Sequence, residues 1–174
     1  MREWIPVSTS PKGRLALAAV RQFGARPFEE VTVGELAVAA TVTTGAIYHH
    51  FGSKLGLYAF VREDVEQRLL DRMEGAIAAS APTSDRSAAV GAALLVGFDF
   101  AVREGFLQML GAPPAGAARD RLAEMLSAST TPASPVLGRV LAAAWRAALV
   151  AVAEGSEPQQ ARAALLALEF QIPS

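Results

Sequence analysis

The sequence predicts an all-α protein in which an N-terminal three-helix helix-turn-helix head is followed by a helical body. Apolar residues recur at spacings of three and four along most of the chain, which is the period of an amphipathic helix. Alternating apolar and polar residues, the sign of a strand, are nearly absent. The chain has 174 residues, of which 52% are apolar, so it can bury a sizeable core.

The first helix of the head is predicted over residues 11–24. Ser10 followed by Pro11 is typical of a helix start, because the serine can cap the helix and proline fits its first position. An apolar stripe follows at a spacing of four, and Gly24 is placed to end the helix.

Two shorter helices are predicted next. Thr32 and Glu35 fit a capping box, in which the two side chains satisfy each other's free backbone amides. Thr43 is placed to cap the third helix, whose buried face is predicted to consist of Ile47 and Phe51. The head is therefore predicted to comprise residues 1–54.

The body, residues 55–174, is predicted to contain five helices separated by loops with glycine, serine and proline. Ser53 is placed to cap the first of them. The apolar stripe of the last helix continues to Ile172. The predicted helices cover residues 54 to the 70s, 85–104, 117–127, 136–153 and 158–172.

The net charge of −1 is unevenly distributed. Residues 1–60 carry six basic and four acidic side chains, whereas the remainder carries ten basic and thirteen acidic ones. This permits a polyanionic partner at the head. There is no cysteine, no secretory signal and no uninterrupted apolar run of about 20 residues, so we expect a soluble, cytoplasmic protein without disulfides.

Two short helices joined by a four-residue connection are the layout of a helix-turn-helix, whose second helix lies in the major groove of DNA. The outward positions of that helix are Thr44, Gly45, Tyr48 and His49. A glycine costs about 1 kcal/mol in a helix and is tolerable where a Cβ would collide with an approaching surface. Tyr48 and His49 can donate hydrogen bonds to phosphates or base edges.

Other interpretations of this segment are a surface cluster, a metal site or an enzyme active site. The adjacent His49 and His50 point about 100° apart on a helix, and no cysteine or nearby carboxylate could complete a metal site. The chain lacks a phosphate-binding GxxxxGK[ST] loop, and its histidines lie only on the candidate DNA face. We therefore expect no metal, no cofactor and no enzymatic activity.

The segment TVGELAVAATVTTGAIYHHFGSK, residues 32–54, resembles the DNA-binding segment of the tetracycline-repressor (TetR) family of bacterial transcription regulators. The shared pattern is T-x-x-x-[IL]-A-x-x-A-x-[V]-[ST]-x-G-x-[ILF]-Y-x-[HY]-F-x-[SN]-K. With the first helix included, the resemblance covers about 45 residues, whereas the body is similar in kind only.

The resemblance implies roles for seven residues. Contacts to phosphates are implied for Thr32, Tyr48, His49 and Lys54. Positions at the floor of the groove are implied for Thr43, Thr44 and Gly45, with Thr44 as the direct reader of bases.

This sequence departs from the family pattern at two places. Thr41 replaces a turn glycine, so it must adopt a left-handed or adjusted turn at some energetic cost. Leu55 and Gly56 replace the usual acidic residue after the Ser-Lys pair. In addition, residues 43–50 contain no arginine or lysine, which argues against readout of guanine by arginine from this helix.

The resemblance also implies a homodimer joined through the last two helices in a four-helix bundle, which would bind a palindromic operator in double-stranded DNA. The apolar stripes agree with such an interface, although they could instead pack against the chain's own core. The candidate interface residues are Leu137, Val140, Leu141, Ala144, Ala148, Val152, Ala161, Leu165 and Leu168.

Members of the family typically bind a small molecule in the body and release the operator. A cavity for an unidentified hydrophobic ligand is one interpretation of the apolar residues of the body, and ordinary core packing is the other. Asp99 and Arg103 are either an ion pair or polar guides for a ligand. The candidate pocket residues are Phe98, Asp99, Arg103, Phe106, Met109, Leu110, Met125 and Trp145.

These observations predict a DNA-binding regulator, a repressor released from its operator by a ligand. The alternative is a helical dimer that keeps the head but acts through protein contacts or sequestration. The operator sequence, the regulated genes and the identity of the ligand do not follow from the residues.

Overall fold

The protein was described from a computed structural model, in which residues 9–80, 86–114, 119–130 and 132–168 can be described. Within these residues the chain is all-α, with no strand, as predicted. A short 3-10 turn, Phe28–Glu30, lies between the first two helices. The helices are α1 Pro11–Ala25, α2 Val33–Ala39, α3 Thr44–Phe51, α4 Lys54–Ser80, α5 Arg86–Glu104, α6 Leu107–Gly111, α7 Arg121–Ala128, α8 Pro135–Ala153 and α9 Pro158–Leu166.

The caps of the head helices follow the predicted chemistry. The hydroxyl of Ser10 accepts a hydrogen bond from the amide of Gly13 at 2.9 Å. At the start of α2, Thr32 and Glu35 form the predicted capping box. The hydroxyl of Ser53 accepts from the amide of Gly56 at 2.9 Å at the start of α4. Each cap satisfies a backbone amide that would otherwise have no partner.

The three head helices pack around one apolar centre. Leu15 of α1, Leu36 of α2, Ile47 of α3 and Leu57 of α4 are all fully buried, each with 0% exposure. Phe51 is only half-buried, and its ring lies 5.3 Å from that of Phe60. Because α3 is held from behind at Ile47, its opposite face is available to solvent.

The connection between α2 and α3 contains a strained residue. Thr41 has φ of 54° and is the only residue other than glycine with positive φ in the described chain. The expectation that this position takes a left-handed turn is confirmed. The turn is closed by backbone hydrogen bonds from Thr41 to Val38 and from Val42 to Ala37, both at 3.0 Å.

The body continues the core of the head, because α4 belongs to both. Gly97 of α5 permits the close crossing of α4 and α5, since a Cβ there would lie 2.8 Å from the sulfur of Met73. Gly138 does the same for α8, where a Cβ would lie 2.3 Å from the carbonyl oxygen of Ala123 on α7. At the centre, the indole of the fully buried Trp145 donates to the carbonyl of Leu94 at 3.0 Å.

Helix α7 begins at Arg121 rather than at residue 117, and three further details differ from the predicted helices. Gly24 does not end α1 but lies buried inside it. A glycine is needed there because a Cβ would lie 2.5 Å from the carbonyl oxygen of Gly105. The short helix α6 was not predicted, since five residues are too few to show a helical period. Helix α9 ends at Leu166 rather than near Ile172, which lies outside the described residues.

Helix α8 is also the one helix among the described residues that is long and apolar enough to cross a membrane, judged by length and composition alone. Its inner face packs into the body through Leu141, Trp145 and Leu149. The high hydropathy therefore reflects two apolar faces, one buried and one exposed.

We expect Thr41→Gly to raise the free energy of unfolding by about 0.5–1 kcal/mol, because glycine removes the left-handed strain of about 1–2 kcal/mol but adds entropy to the unfolded chain. Urea denaturation followed by circular dichroism measures this change. Thr43→Gly is the matched control, because Thr43 has φ of −82° and no side-chain capping bond. Its stability should be unchanged or reduced, and an equal rise in both variants would contradict the strain at Thr41.

Candidate nucleic-acid interface

The outer face of α3 is a continuous exposed surface. Tyr48 is 56% exposed, and Thr44, Gly45 and His49 are exposed as well. The rings of His49 and His50 lie 4.8 Å apart in an edge-to-face arrangement. The structure therefore brings together on one face of α3 four of the seven residues that the sequence predicted for contact with DNA.

Gly45 is not required by the packing of the protein itself. A Cβ at this position would touch only the hydroxyl oxygen of Thr43, at an ordinary 3.7 Å. Glycine in a helix nevertheless lowers stability relative to alanine. Its presence is thus unexplained by the isolated chain and is consistent with close approach of another molecule.

Thr43 and Thr44 present hydroxyl and methyl groups at the start of α3. The backbone of Thr43 occupies the N-cap position, but its side chain makes no capping hydrogen bond, contrary to the predicted role. Both side chains are exposed. Their hydroxyls remain available as donors and acceptors for a partner.

Thr32 and Glu35 stabilise the start of α2 at the edge of this surface. The carboxylate of Glu35 accepts from the amide and the hydroxyl of Thr32, both at 2.8 Å, and from Arg26 at 2.9 Å. The backbone and side-chain hydrogen bonds from Thr32, and then that from Arg26, lower the pKa of Glu35 to about 2. The capping box is therefore charged and intact across the pH range in which proteins bind DNA.

Lys54 is not directed at solvent as a free cation. Its ammonium donates to the carbonyl oxygens of Phe28 at 2.8 Å and Val31 at 2.9 Å, and lies 4.1 Å from the centre of the Phe28 ring. The predicted contact of Lys54 with phosphate is therefore replaced in this structure by an internal contact. Lys54 attaches the 3-10 turn to the first turn of α4.

Other head cations are also used inside the head. The guanidinium of Arg14 donates to the carbonyl of Ala40, at the end of α2, at 2.9 Å and to that of Thr9 at 2.7 Å. The ammonium of Lys12 lies 5.1 Å from the ring centre of Phe60. These contacts hold α1 against the helix-turn-helix and leave few free positive charges beside α3.

The sequence of this head matches a known family. Residues 16–60 match the model of the bacterial regulatory proteins, tetR family. The head belongs to the tetR family. A chain with a tetR-family head is a DNA-binding regulator of transcription, and the family consists of regulators rather than enzymes.

A solved structure with a similar arrangement over most of its length is the TetR family repressor AlkX from Dietzia sp. strain DQ12-45-1b, implicated in biodegradation of n-alkanes. The two chains are 16% identical, with a TM-score of 0.47, and the likeness covers 92% of this chain and 94% of AlkX. None of the curated proteins matches this sequence.

Two exposed apolar side chains of the head were not predicted. Val38, in the last turn of α2, is 80% exposed, and Leu55, in the first turn of α4, is 59% exposed. The exposure of these side chains could not be predicted, because the sequence alone does not tell which face of a seven-residue helix is outward.

The predicted ligand pocket is closed core in the described structure. Five of the candidate residues are at most 4% exposed and pack against each other: Phe98, Phe106, Met109, Leu110 and Trp145. Met125 is half-buried beside this core. The small, partly open space between α4, α6, α7 and α8 has a volume of about 10 Å³, which is room for roughly one water molecule.

Asp99 and Arg103 do not form the predicted pair. Asp99 accepts from Arg162 of α9 at 3.0 Å, and Arg103 lies 3.4 Å from Glu104. Both are surface ion pairs rather than polar guides within a cavity. The prediction was wrong because the spacing of four residues, typical of such a pair, does not show what a second helix places opposite.

The predicted dimer residues fall into three groups. Val140 and Leu168 are exposed. The side chains of Leu137, Ala144 and Val152 are half-buried. The remaining candidate interface residues are buried in the core of the single chain: Leu141, Ala148, Ala161 and Leu165.

We expect Lys54→Met to lower the free energy of unfolding by about 2 kcal/mol in the absence of DNA, because two charge-assisted hydrogen bonds are lost. Urea denaturation measures the loss. The control is Arg21→Met, because Arg21 is exposed on α1 and no partner is found for it among the described residues. If Lys54→Met leaves stability unchanged, the ammonium does not make these internal contacts in solution.

Proposed function

We propose that the protein is a homodimeric repressor that binds a palindromic site in double-stranded DNA and is released from it by a small apolar molecule. The proposal is supported above all by Gly45, which lies exposed on α3 with nothing of its own chain to accommodate. The family membership of the head supports DNA as the partner. A DNA partner in turn supports the cytoplasm as the location.

The groups that meet DNA in this proposal are the exposed side chains of α3 with the start of α2. Tyr48 and His49 donate to phosphates, together with Thr32 at the edge of the surface. Thr43, Thr44 and Gly45 enter the major groove. Lys54 acts indirectly, since its ammonium orients the turn that precedes α2.

The dimer forms through the outer face of α8 in this proposal. Five exposed residues recur along this face at spacings of four and three, which gives one apolar stripe on the outside of the helix. Small side chains in its middle permit close approach of a second helix. The stripe consists of Val136, Val140, Ala143, Ala147 and Val150.

A second copy of the chain is a better occupant of this stripe than a lipid bilayer. The same helix carries Arg146, whose guanidinium makes two hydrogen bonds of 2.7 Å to the carboxylate of Asp120. Arg139 is exposed on α8 as well. Charged groups at these positions are costly within a membrane, whereas they are compatible with a bundle that has solvated edges. Binding to successive major grooves of a palindromic site requires the two α3 helices of the dimer to lie about 34–36 Å apart.

The small molecule acts through α4 in this proposal. The cavity of about 10 Å³ is bounded by Leu69 and Leu70 of α4, together with Leu110 and Trp145. A ligand larger than water that enters this cavity must therefore displace α4 from α7 and α8. Since α4 begins at Lys54 beside the head, such a displacement changes the position of the recognition helix.

We expect Gly45→Ala to raise the melting temperature yet weaken binding to DNA by about tenfold or more, because its Cβ collides with the groove. Binding is measured by fluorescence anisotropy with a duplex selected from a random pool, across a salt series. Gly75→Ala is the matched control, because Gly75 is exposed on α4 and a Cβ there meets nothing within 4 Å.

The control should gain stability, by about 0.5–1 kcal/mol, without loss of DNA affinity. Absence of any binding by the wild-type chain at low salt would reject DNA as the partner. Equal DNA affinity of Gly45→Ala and Gly75→Ala would reject α3 as the helix that enters the groove.

For the dimer, we expect Val140→Glu to produce monomers, since two like charges would face each other across the symmetric stripe. Light scattering coupled to size-exclusion chromatography measures the mass. Val38→Glu is the control, because Val38 is 80% exposed on the head, away from α8, and it should remain dimeric. An unchanged mass for Val140→Glu would contradict the proposed interface.

A further inference from the structure

The start and outer face of α3 lack the side chains that read guanine or adenine with two hydrogen bonds. No arginine, lysine, asparagine or glutamine occurs between residues 43 and 50, and bidentate readout of purines in the major groove depends on those side chains. The exposed groups at the start and on the outer face of α3 are instead hydroxyls, one phenol, one imidazole and methyl groups. Discrimination between bases must therefore come from single hydrogen bonds and from apolar contact.

Four of the five basic side chains in the described part of the head do not compensate for this lack. Arg14 and Lys54 donate to backbone carbonyls, and Arg26 donates to Glu35 and to the carbonyl of Glu30. Lys12 lies over aromatic rings. Four of the five basic side chains in the described part of the head are thus engaged within the head, and the fifth, Arg21, lies exposed on α1.

The residues at the start of α3 are short, which sets the distance of approach. Thr44 reaches only to a γ-methyl and a hydroxyl, and Gly45 exposes its backbone with no side chain in front of it. Contact with base edges then requires the helix to lie deep in the groove. Gly45 permits such an approach because its Cβ is missing on the exposed side.

The one apolar group on the major-groove edge of the base pairs is the C5 methyl of thymine. Resting on the proposed function, we infer that this head selects thymine-containing sites through van der Waals contact of the Thr44 γ-methyl, beside Gly45, with that methyl group. Thr44 is the residue that determines specificity, and its methyl rather than its hydroxyl carries the discrimination.

The experiment begins with selection of bound duplexes from a random pool by the full-length chain. Each thymine of the selected site is then replaced in turn by deoxyuridine, which removes only the C5 methyl. Replacement at the contacted thymine should weaken binding about fourfold per half-site, as expected for one buried methyl group. Replacement at thymines outside the contacted position should leave affinity unchanged.

Two variants of Thr44 separate the methyl from the hydroxyl. Thr44→Ser keeps the hydroxyl and removes the methyl, so thymine and deoxyuridine should bind it equally at the contacted position. Thr44→Val keeps a methyl and removes the hydroxyl, so the preference of about fourfold should persist. Thr44 is exposed at the first position of α3, and thermal melting checks that both variants are folded.

The outcomes distinguish this inference from the proposed function. Binding to a selected site that is insensitive to deoxyuridine at every thymine overturns the inference and leaves DNA binding intact. A preference for thymine that survives in Thr44→Ser overturns the assignment to Thr44. Failure of the wild-type chain to bind any duplex overturns both.

Discussion

The orientation of α3 depends on the attachment of the 3-10 turn to the start of α4. The ammonium of Lys54 donates to the carbonyl oxygens of Phe28 and Val31. The ring centres of Phe23 and Phe28 each lie 5.0 Å from that of Tyr58. Helices α2 and α3 follow this turn directly. The hydrogen bonds of Lys54 and the aromatic cluster of Phe23, Phe28 and Tyr58 together therefore determine where the exposed face of α3 points relative to the body.

The positive charges of the head serve this framework more than they serve an electrostatic surface. Arg14 holds the end of α2, and Arg26 holds Glu35 of the capping box at its start. Each of these hydrogen bonds contributes to stability because carbonyl and carboxylate oxygens that are partly removed from water receive a charged donor. A surface from which cations have been withdrawn has weak nonspecific attraction for phosphates, so shape and short-range contact gain importance.

The sequence predicted the parts of the molecule that depend on local chemistry. The capping box at Thr32, the cap at Ser53 and the left-handed turn at Thr41 involve residues within three or four positions of each other, and the structure confirms them. Contacts between segments that lie far apart in the chain could not be predicted from the sequence. Lys54 meets carbonyls 23 and 26 residues away, and Asp99 meets an arginine 63 residues away. The burial of the candidate pocket residues likewise depends on how whole helices cross, which the apolar period cannot specify.

Helix α4 connects the head to the body through a half-buried polar network. Arg62 donates to Glu66 at 2.8 Å, to the hydroxyl of Tyr58 at 3.0 Å and to the carbonyl of Ala112 at 2.7 Å. Tyr58 thus belongs both to the aromatic cluster of the head and to the network of the body. Because a charge partly removed from water is costly when it loses a partner, this network stabilises the contact of α4 with the end of α6.

The same helix also carries an element that opposes its stability. One carboxylate oxygen of Asp64 is buried with no hydrogen-bond partner in the described part of the chain, and burial raises the pKa of Asp64 to about 6. A raised carboxyl pKa means that ionised Asp64 destabilises the fold at neutral pH, and this penalty is relieved as the pH falls through about 6. Helix α4 is therefore held at Arg62 and weakened at Asp64, less than one turn away. The six buried apolar side chains of α4 offset this local penalty and keep the helix packed against the body: Leu57, Val61, Val65, Leu69, Leu70 and Met73.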